Sequence, residues 1–210
     1  MAAAALCMSS CAEADGEFAL RNGDLLFQVG AGSQMSEAIQ DATARGGVLP
    51  FTHAAMAEVT ADGEVWILEA SGDRGVCRTS PADFLARSAR IEGRPAVVVC
   101  RVDADEEVIA AAVERAAGFV GQPYDWYYLP DNERMYCSEL IYESFLHPDG
   151  RHIFTARPMN FRAADGSMPR FWEELFGSLG EPVPEGVDGT NPADMSQDAC
   201  LTMVYRYFDE

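Results

Sequence analysis

Apolar residues recur with two different periods along this chain, and the change between the two periods predicts the order of strands and helices. Short apolar or alternating runs bounded by turn residues predict strands at 23–29, 52–60, 64–70, 75–78, 96–102 and 201–208. Helical spacing and capping residues predict helices at 34–44, 80–87, 105–119, 137–145 and 169–176. The chain has no internal repeat and no long linker, so this order predicts one α+β domain with a mainly antiparallel sheet.

The second and third predicted strands form a hairpin whose register decides where two polar side chains lie. A three-residue loop, Ala61-Asp62-Gly63, with Gly63 left-handed and forming a bulge, pairs Ala55 with Glu69. His53 then lies diagonally from Glu69 on the same face, within reach of its carboxylate. A two-residue turn would instead direct His53 and Glu69 to opposite faces. The sequence permits the first register without excluding the second.

A cysteine marks the point where a turn-rich loop, residues 123–132, gives way to an amphipathic helix. Leu140, Ile141 and Ser144 follow Cys137 at helical spacing and share its face. A thiol in the first helical turn lies near unpaired backbone N–H groups and the positive end of the helix dipole, which favour the thiolate. Most free cysteines are buried small hydrophobic residues, so this segment alone leaves both a reactive and a structural cysteine open.

Composition narrows the classes of partner. The 210 residues carry 34 Asp and Glu against 15 Lys and Arg, a formal charge of −19. Nucleic acids and anionic membrane surfaces are bound through basic side chains, so neither is expected as a partner. The six cysteines are too widely spaced for a zinc ribbon or a CxxC site, and His147 and His152 have no obvious third ligand. We therefore predict no metal and no cofactor.

The first thirteen residues resemble the end of a bacterial lipoprotein signal, in which Cys11 would be lipidated. The segment lacks a basic n-region and its apolar stretch is short for a full signal, so an ordinary N-terminal tail is the alternative. We assign residues 1–18 to this segment and 19–210 to the folded domain. A signal remnant would imply the bacterial cell envelope, with a membrane attachment only through Cys11; otherwise the protein would be cytoplasmic.

Cys137, His53 and Glu69 together supply a nucleophile, a base and an orienting acid, the minimum for thiol acyl transfer. Their order along the chain is the reverse of that in papain. Here the chain resembles the circularly permuted papain-like cysteine hydrolases of the NlpC type, in particular their YiiX/YaeF-like branch. The segments that carry the resemblance are GDLLFQ at 23–28, THAAM at 52–56, LEA at 68–70, GQPYD at 121–125, YCSEL at 136–140 and PEGVDGTNP at 184–192.

This resemblance implies a papain-like fold in which an antiparallel sheet packs against the helix of the nucleophile. It also implies that Cys137 is the nucleophile, His53 the general base and then acid, and Glu69 the orienter. The reaction would pass through a tetrahedral oxyanion and a thioester. Residues 47–51, which precede the histidine, depart from the polar approach expected of this branch, and this departure bears on substrate details.

Oxyanion stabilisation needs hydrogen-bond donors close to the nucleophile. The backbone N–H of Cys137 is the first expected donor, and Gln28, Tyr124 and Tyr136 are candidates for the second. Asp125 either holds a loop near the site or forms an Asx turn.

Three functions follow from these residues. The first is a cysteine hydrolase that cleaves an amide in a cell-wall peptide, a lipid or a small molecule. The second is a thiol-dependent acyltransferase acting on lipid substrates, and the third is a catalytically silent binding module of the same fold. The intact Cys, His and Glu favour the two enzymes over the third.

Overall fold

The computed structural model describes residues 18–44 and 46–209 of the chain. Cys11 and the remainder of the predicted N-terminal segment up to residue 17 lie outside the described residues, so the predicted lipidation stays a prediction. The helices are α1 (Gln34–Thr43), α2 (Pro81–Ala86), α3 (Glu106–Gly118), α4 (Cys137–Ser144), α5 (Arg170–Leu179) and α6 (Pro192–Met195). The strands are β1 (Leu25–Gln28), β2 (His53–Val59), β3 (Val65–Ser71), β4 (Gly75–Thr79), β5 (Arg90–Ile91), β6 (Arg94–Pro95), β7 (Val97–Val102), β8 (Arg157–Pro158), β9 (Asp188–Gly189) and β10 (Leu201–Arg206).

Six of the strands form one sheet in the order β10-β7-β1-β2-β3-β4, and every neighbouring pair in it is antiparallel. This confirms the predicted α+β class and the antiparallel sheet. Sequence reasoning missed the short pairs β5–β6 and β8–β9 and the single-turn helix α6. Two-residue strands and one-turn helices are too short to show a hydrophobic period, so no periodicity predicts them.

The two faces of the sheet bury different clusters because successive strand residues point to opposite sides. On one face, Ala54 and Met56 of β2 pack in the larger core with Leu140 and Ile141 of α4. The opposite face buries a smaller cluster that includes Phe84 of α2. Helices α4 and α2 therefore cover opposite sides of the same strands.

The hairpin between β2 and β3 has the three-residue loop, the first of the two that the sequence permitted. Val59 pairs with Val65, and the Thr60 N–H donates to the carbonyl of Glu64 at 2.9 Å, which leaves three residues in the loop. Gly63 has a φ of +87°, the left-handed conformation that an L-residue with a side chain rarely adopts. The structure thus decides between the two registers and sets Ala55 opposite Glu69.

Helix α4 begins at Cys137, with Tyr136 as its N-cap. The Glu139 carboxylate accepts a hydrogen bond from the Tyr136 N–H at 3.2 Å, which satisfies a backbone donor at the helix start. At the other end, the Ser144 hydroxyl donates to the Leu140 carbonyl at 2.6 Å. Both ends of this eight-residue helix are thus tied by side chains, while its apolar face is fully buried. None of the helices in the described ranges is both long enough and apolar enough to cross a membrane.

Candidate active site

His53, Glu69 and Cys137 come together where β2 and α4 begin. The register of the hairpin sets His53 diagonally from Glu69, and His53 Nε2 lies 2.7 Å from Glu69 Oε2. The imidazole also hydrogen-bonds to the Cys137 thiol. Because Nε2 is engaged with the carboxylate, Nδ1 is the ring nitrogen left for the sulfur. The three side chains that the sequence singled out therefore form one hydrogen-bonded chain.

Glu69 is fully buried and is bonded through both of its carboxylate oxygens. Oε2 accepts from His53, whereas Oε1 accepts from the Arg74 guanidinium at 3.1 Å and from Arg87 and the Thr79 hydroxyl. Burial by itself raises the pKa of this carboxyl, but the bonds and charges of His53, Thr79 and Arg87 outweigh it and lower the pKa of Glu69 to about 2. Glu69 is therefore a fixed anion behind the imidazole.

The same arrangement charges the imidazole. Burial lowers the pKa of His53, but the hydrogen bonds and charges of Cys137 and Glu69 more than reverse this and raise the His53 pKa to about 10. The Phe84 ring lies 5.8 Å from the imidazole, centroid to centroid, and flanks it on the α2 side. An imidazolium held in this way can stabilise a thiolate and later donate a proton.

Cys137 occupies the first residue of α4. The backbone N–H groups of the first turn, at Cys137, Ser138 and Glu139, have no acceptor four residues earlier within the helix. The thiol therefore lies beside backbone donors and the positive end of the helix dipole, as the sequence predicted for this position.

Thr190, near the C-terminus, hydrogen-bonds to the start of α4. The Thr190 N–H donates to the Tyr136 hydroxyl at 3.0 Å, and the Thr190 hydroxyl bonds to the Ser138 hydroxyl at 3.0 Å. Gly189 packs so closely that a Cβ at this position would lie 2.8 Å from the Tyr136 oxygen and 2.6 Å from Met159 Sδ. Sequence reasoning did not assign this function to Thr190, although the segment 184–192 belongs to the motifs that carry the family resemblance.

Of the candidates for a second oxyanion donor, Tyr124 has the clearest position. It lines both cavities beside the site, and its hydroxyl lies 3.4 Å from that of Tyr128. Burial, followed by the charges of Tyr128 and Cys137, holds the pKa of Tyr124 well above its usual value, so its O–H stays available as a donor. The Tyr136 hydroxyl instead accepts from the Thr190 backbone.

The two remaining candidates bond to backbone groups. The Gln28 side-chain amide donates to the Phe84 carbonyl at 2.7 Å, a bond that ties β1 to α2. The buried Asp125 carboxylate accepts from the N–H groups of Tyr127 and Leu129, both at 2.9 Å. Asp125 thus forms an Asx turn. The same bonds hold the loop that leads to Tyr128, so both interpretations of Asp125 apply.

Two cavities adjoin the site. The apolar cleft has a volume of about 50 Å³ and is lined by Cys137 with Tyr124, Tyr128, Phe161 and Trp172, and no charged residue lines it. The polar groove has a volume of about 250 Å³ and is lined by His53, Arg87, Ser33, Ser36 and Thr52, among others. A larger cavity of about 480 Å³ lies behind Thr190 and includes none of the three converging residues.

Histidines outside the site have other surroundings. His152 stacks on the Tyr142 ring at 3.9 Å and lies 3.3 Å from a Glu143 carboxylate oxygen. The His147 backbone closes a turn with Arg151. Within residues 18–44 and 46–209, no three His, Cys, Asp or Glu side chains are grouped so that they could hold a metal ion.

A cysteine at a helix start, packed against an antiparallel sheet that presents a histidine and a carboxylate, defines a papain-like hydrolase fold. The order of these elements along the chain makes it a permuted one. The family model of permuted papain-like amidases, the YaeF/YiiX or C92 family, matches residues 19–205, and the chain belongs to this family. It is thus a member of a family of cysteine hydrolases.

Two relatives agree with this assignment. The uncharacterized protein YiiX of Escherichia coli K12 is 24% identical over 193 residues, which cover 89% of this chain and 86% of that protein. The crystal structure of YiiX from Escherichia coli O157:H7, which is described as a metalloprotein, superposes with a TM-score of 0.72 at 24% identity. The superposition covers 90% of this chain and 98% of that one, and it shows a shared fold.

Proposed function

We propose that this protein is a cysteine amidase in which Cys137 is the nucleophile, His53 the acid–base and Glu69 the orienter. One observation carries the proposal: the hydrogen-bonded chain from the thiol at the start of α4 through His53 to Glu69. A fixed carboxylate selects one orientation of the imidazole and stabilises its cation, which is what a thiolate nucleophile needs.

The reaction has two halves. The Cys137 sulfur attacks the amide carbonyl, the C–N bond breaks, and the departing nitrogen takes a proton from His53, which leaves a thioester. Water then attacks the thioester, gives a proton to His53, and breaks the C–S bond to release the acid. Glu69 stays ionised throughout because its pKa is about 2.

The developing oxyanion is proposed to lie between the Cys137 N–H and the Tyr124 hydroxyl. The first belongs to a helix start whose amides lack intrahelical acceptors, and the second is a buried phenol that lines both cavities. Each donor of this kind contributes about 10²–10³ in kcat.

The lining of the cleft supports an apolar acyl group. A thioester acyl chain attached to Cys137 would contact mainly aromatic and aliphatic side chains. The described lining also includes hydroxyl and amide groups, such as those of Thr43 and Asn160, but no charged residue. Cell-wall peptides carry charged groups on the acyl side of the scissile bond as well, and these would lose hydration in the cleft without a charged partner. We therefore favour a lipid or small-molecule N-acyl amine over a muropeptide.

No step of this mechanism uses a metal. The structural neighbour is described as a metalloprotein. In the described part of this chain, however, His53 is already bonded to Cys137 and Glu69, and no other group of three potential ligands lies near the site.

The proposal is tested with a panel of N-acyl amines and muropeptides, assayed with wild type and with Cys137→Ala. Wild type should hydrolyse an amide with an apolar acyl group, and Cys137→Ala should not. Equal rates for the two proteins would refute the proposal. Acyl transfer to an added amine or alcohol in place of release of the acid would identify the acyltransferase alternative instead.

The cellular location is a separate proposal. If Cys11 is lipidated in the bacterial cell, the protein is anchored in the envelope, and mass spectrometry of the purified protein should detect a diacyl or triacyl cysteine. An unmodified cytosolic product would contradict the anchor and leave the chemistry of Cys137 untouched.

A further inference from the structure

The two cavities beside the site divide the converging residues between them. Cys137 lines the apolar cleft but not the polar groove, whereas His53 lines the groove but not the cleft. Tyr124, Thr52 and Ile39 line both, so the cleft and the groove adjoin. A substrate bound across this junction would extend into both.

The chemistry of the proposed amidase decides which part of the substrate lies on which side. In the first half-reaction the departing nitrogen takes its proton from His53, so the amine part must lie next to the imidazole. The acyl part stays attached to Cys137 and lies in the cleft. The polar groove is therefore the site of the amine part.

The groove differs in charge from the rest of the protein. Among the described residues, its only charged lining residues are Arg87 and His53, and no described carboxylate lines it. This stands out in a chain with 34 acidic and 15 basic residues. By contrast, the 480 Å³ cavity is lined by Asp194 and Asp198 as well as a single arginine.

Two carboxylates are bonded to residues that line the groove. Glu69 is fully buried and accepts four hydrogen bonds, one of them from Arg87. Asp73 is 76% exposed, accepts a hydrogen bond from the hydroxyl of Ser71, and lies 3.8 Å from Arg74. Neither carboxylate lines the groove itself, although the charge of Arg87 acts on both.

Arg87 is fixed in position but still accessible. Its Nη2 bonds to Glu69, and its Nε donates to the Asp83 carbonyl at 3.3 Å. These bonds use two of the five guanidinium N–H donors, and the side chain stays 40% exposed. A guanidinium held on one side and open on the other suits a carboxylate or a phosphate. The hydroxyls of Ser33 and Ser36 line the same groove.

We infer that the polar groove binds an amine leaving group that carries an anion, either a carboxylate or a phosphate, and that Arg87 recognises this anion. The inference deepens the proposed function and rests on it. The preferred substrates are then amides with an apolar acyl chain on one side and an anionic amine on the other.

The test compares two amides of nearly equal shape, N-octanoylglycine and the neutral N-octanoylglycinamide. Wild type should favour the carboxylate in kcat/KM by about tenfold or more, the order expected for a charge-assisted bond. Arg87→Gln should remove this preference. N-octanoyl-O-phosphoethanolamine, measured against N-octanoylethanolamine, forms the phosphate arm and shows which anion the groove prefers.

Arg74→Gln is the matched control. Both arginines bond to the same oxygen of Glu69, but only Arg87 lines the groove. Arg74→Gln should lower the rates on both amides by one common factor and keep their ratio. If Arg87→Gln also keeps the wild-type ratio, Arg87 only positions Glu69 and the inference is wrong.

A binding experiment separates this inference from the proposed function. Calorimetric titration of the Cys137→Ser variant with the two amides needs no turnover. Tighter binding of N-octanoylglycine that is lost in Cys137→Ser/Arg87→Gln supports the groove even if wild type hydrolyses nothing, an outcome that would overturn only the amidase. Equal binding of both amides overturns the inference and leaves the amidase standing.

Discussion

Cys137 and Cys100 are almost equally buried, with 5% and 3% of their surfaces exposed, yet their surroundings are opposite. Cys100 lies within β7, where burial and the Asp24 carboxylate raise its pKa to about 11. Cys137 begins a helix and hydrogen-bonds to His53. Burial therefore does not distinguish these two thiols, whereas the sign of the neighbouring charge does.

The difference arises from which secondary structure carries each thiol. A residue in the middle of a central strand has its backbone groups paired in the ladder, so only side chains such as Asp24 can influence its charge. A residue at a helix start has free backbone N–H groups nearby, and these favour an anion. The side chain bonded to Cys137 is a histidine, whereas the charge near Cys100 is a carboxylate that raises the thiol pKa.

The largest effect on kcat is expected when the proposed nucleophile, Cys137, is removed. Cys137→Ala should reduce kcat by about 10⁶, or to background, as removal of a triad nucleophile does. Cys100→Ala should retain the rate because its thiol takes no part in the chemistry. A steady-state assay of both variants checks this, and loss of activity in a folded Cys100→Ala protein would break the comparison.

The second largest effect on kcat is expected when the proposed orienting carboxylate, Glu69, loses its charge. Glu69→Gln keeps the shape of the side chain but removes the charge that stabilises the imidazolium, and kcat should fall by about 10⁴. Glu58→Gln is the control. Glu58 lies on the same hairpin as Glu69, but its carboxylate bonds to Arg78 of β4 at 2.8 Å and to neither His53 nor Cys137. A similar loss in both variants would point to damage to the hairpin rather than to catalysis.

A smaller effect is expected from the proposed second oxyanion donor. Tyr124→Phe should lower kcat by about 10²–10³ with little change in KM, because the donor acts on the transition state. Tyr142→Phe serves as the control, since that ring stacks on His152 outside the site. If Tyr124→Phe raises KM and leaves kcat unchanged, Tyr124 shapes the cleft without stabilising the oxyanion.

The smallest effect is a dependence of stability on pH. The pKa of His53 is raised from 6.5 to about 10, so its contribution to folding is complete below pH 6.5 and is lost as the pH rises through 10. The excess unfolding free energy of wild type over His53→Ala should therefore shrink across this interval. Urea titrations at pH 6 and pH 10 measure it. An unchanged difference would mean that Cys137 and Glu69 do not hold the imidazole as a cation.

Much of this arrangement could be predicted from the sequence. The Ala61-Asp62-Gly63 loop permitted two registers, and the one with Gly63 left-handed sets His53 beside Glu69. The spacing of Leu140 and Ile141 placed Cys137 on the buried face of a helix. These predictions were possible because each depends on residues that lie close together in the sequence.

The rest depends on contacts that no local pattern encodes. Arg74 and Arg87 both bond to Glu69, but an arginine side chain is long and flexible, so its sequence position does not reveal its partner. Thr190 reaches Ser138 across 52 positions, from a segment rich in proline and glycine that has no periodicity. Such long-range contacts can be identified only from the three-dimensional arrangement of the helices and strands.

The most direct test of the central claim is to trap the acyl-enzyme. Wild type mixed with an activated octanoyl ester, quenched in acid and digested, should carry one octanoyl group as a thioester on Cys137 and none on Cys100. His53→Ala should acylate far more slowly under the same conditions. An acyl group on another residue, or equal labelling of Cys137 and Cys100, would contradict the claim that Cys137 is the activated nucleophile.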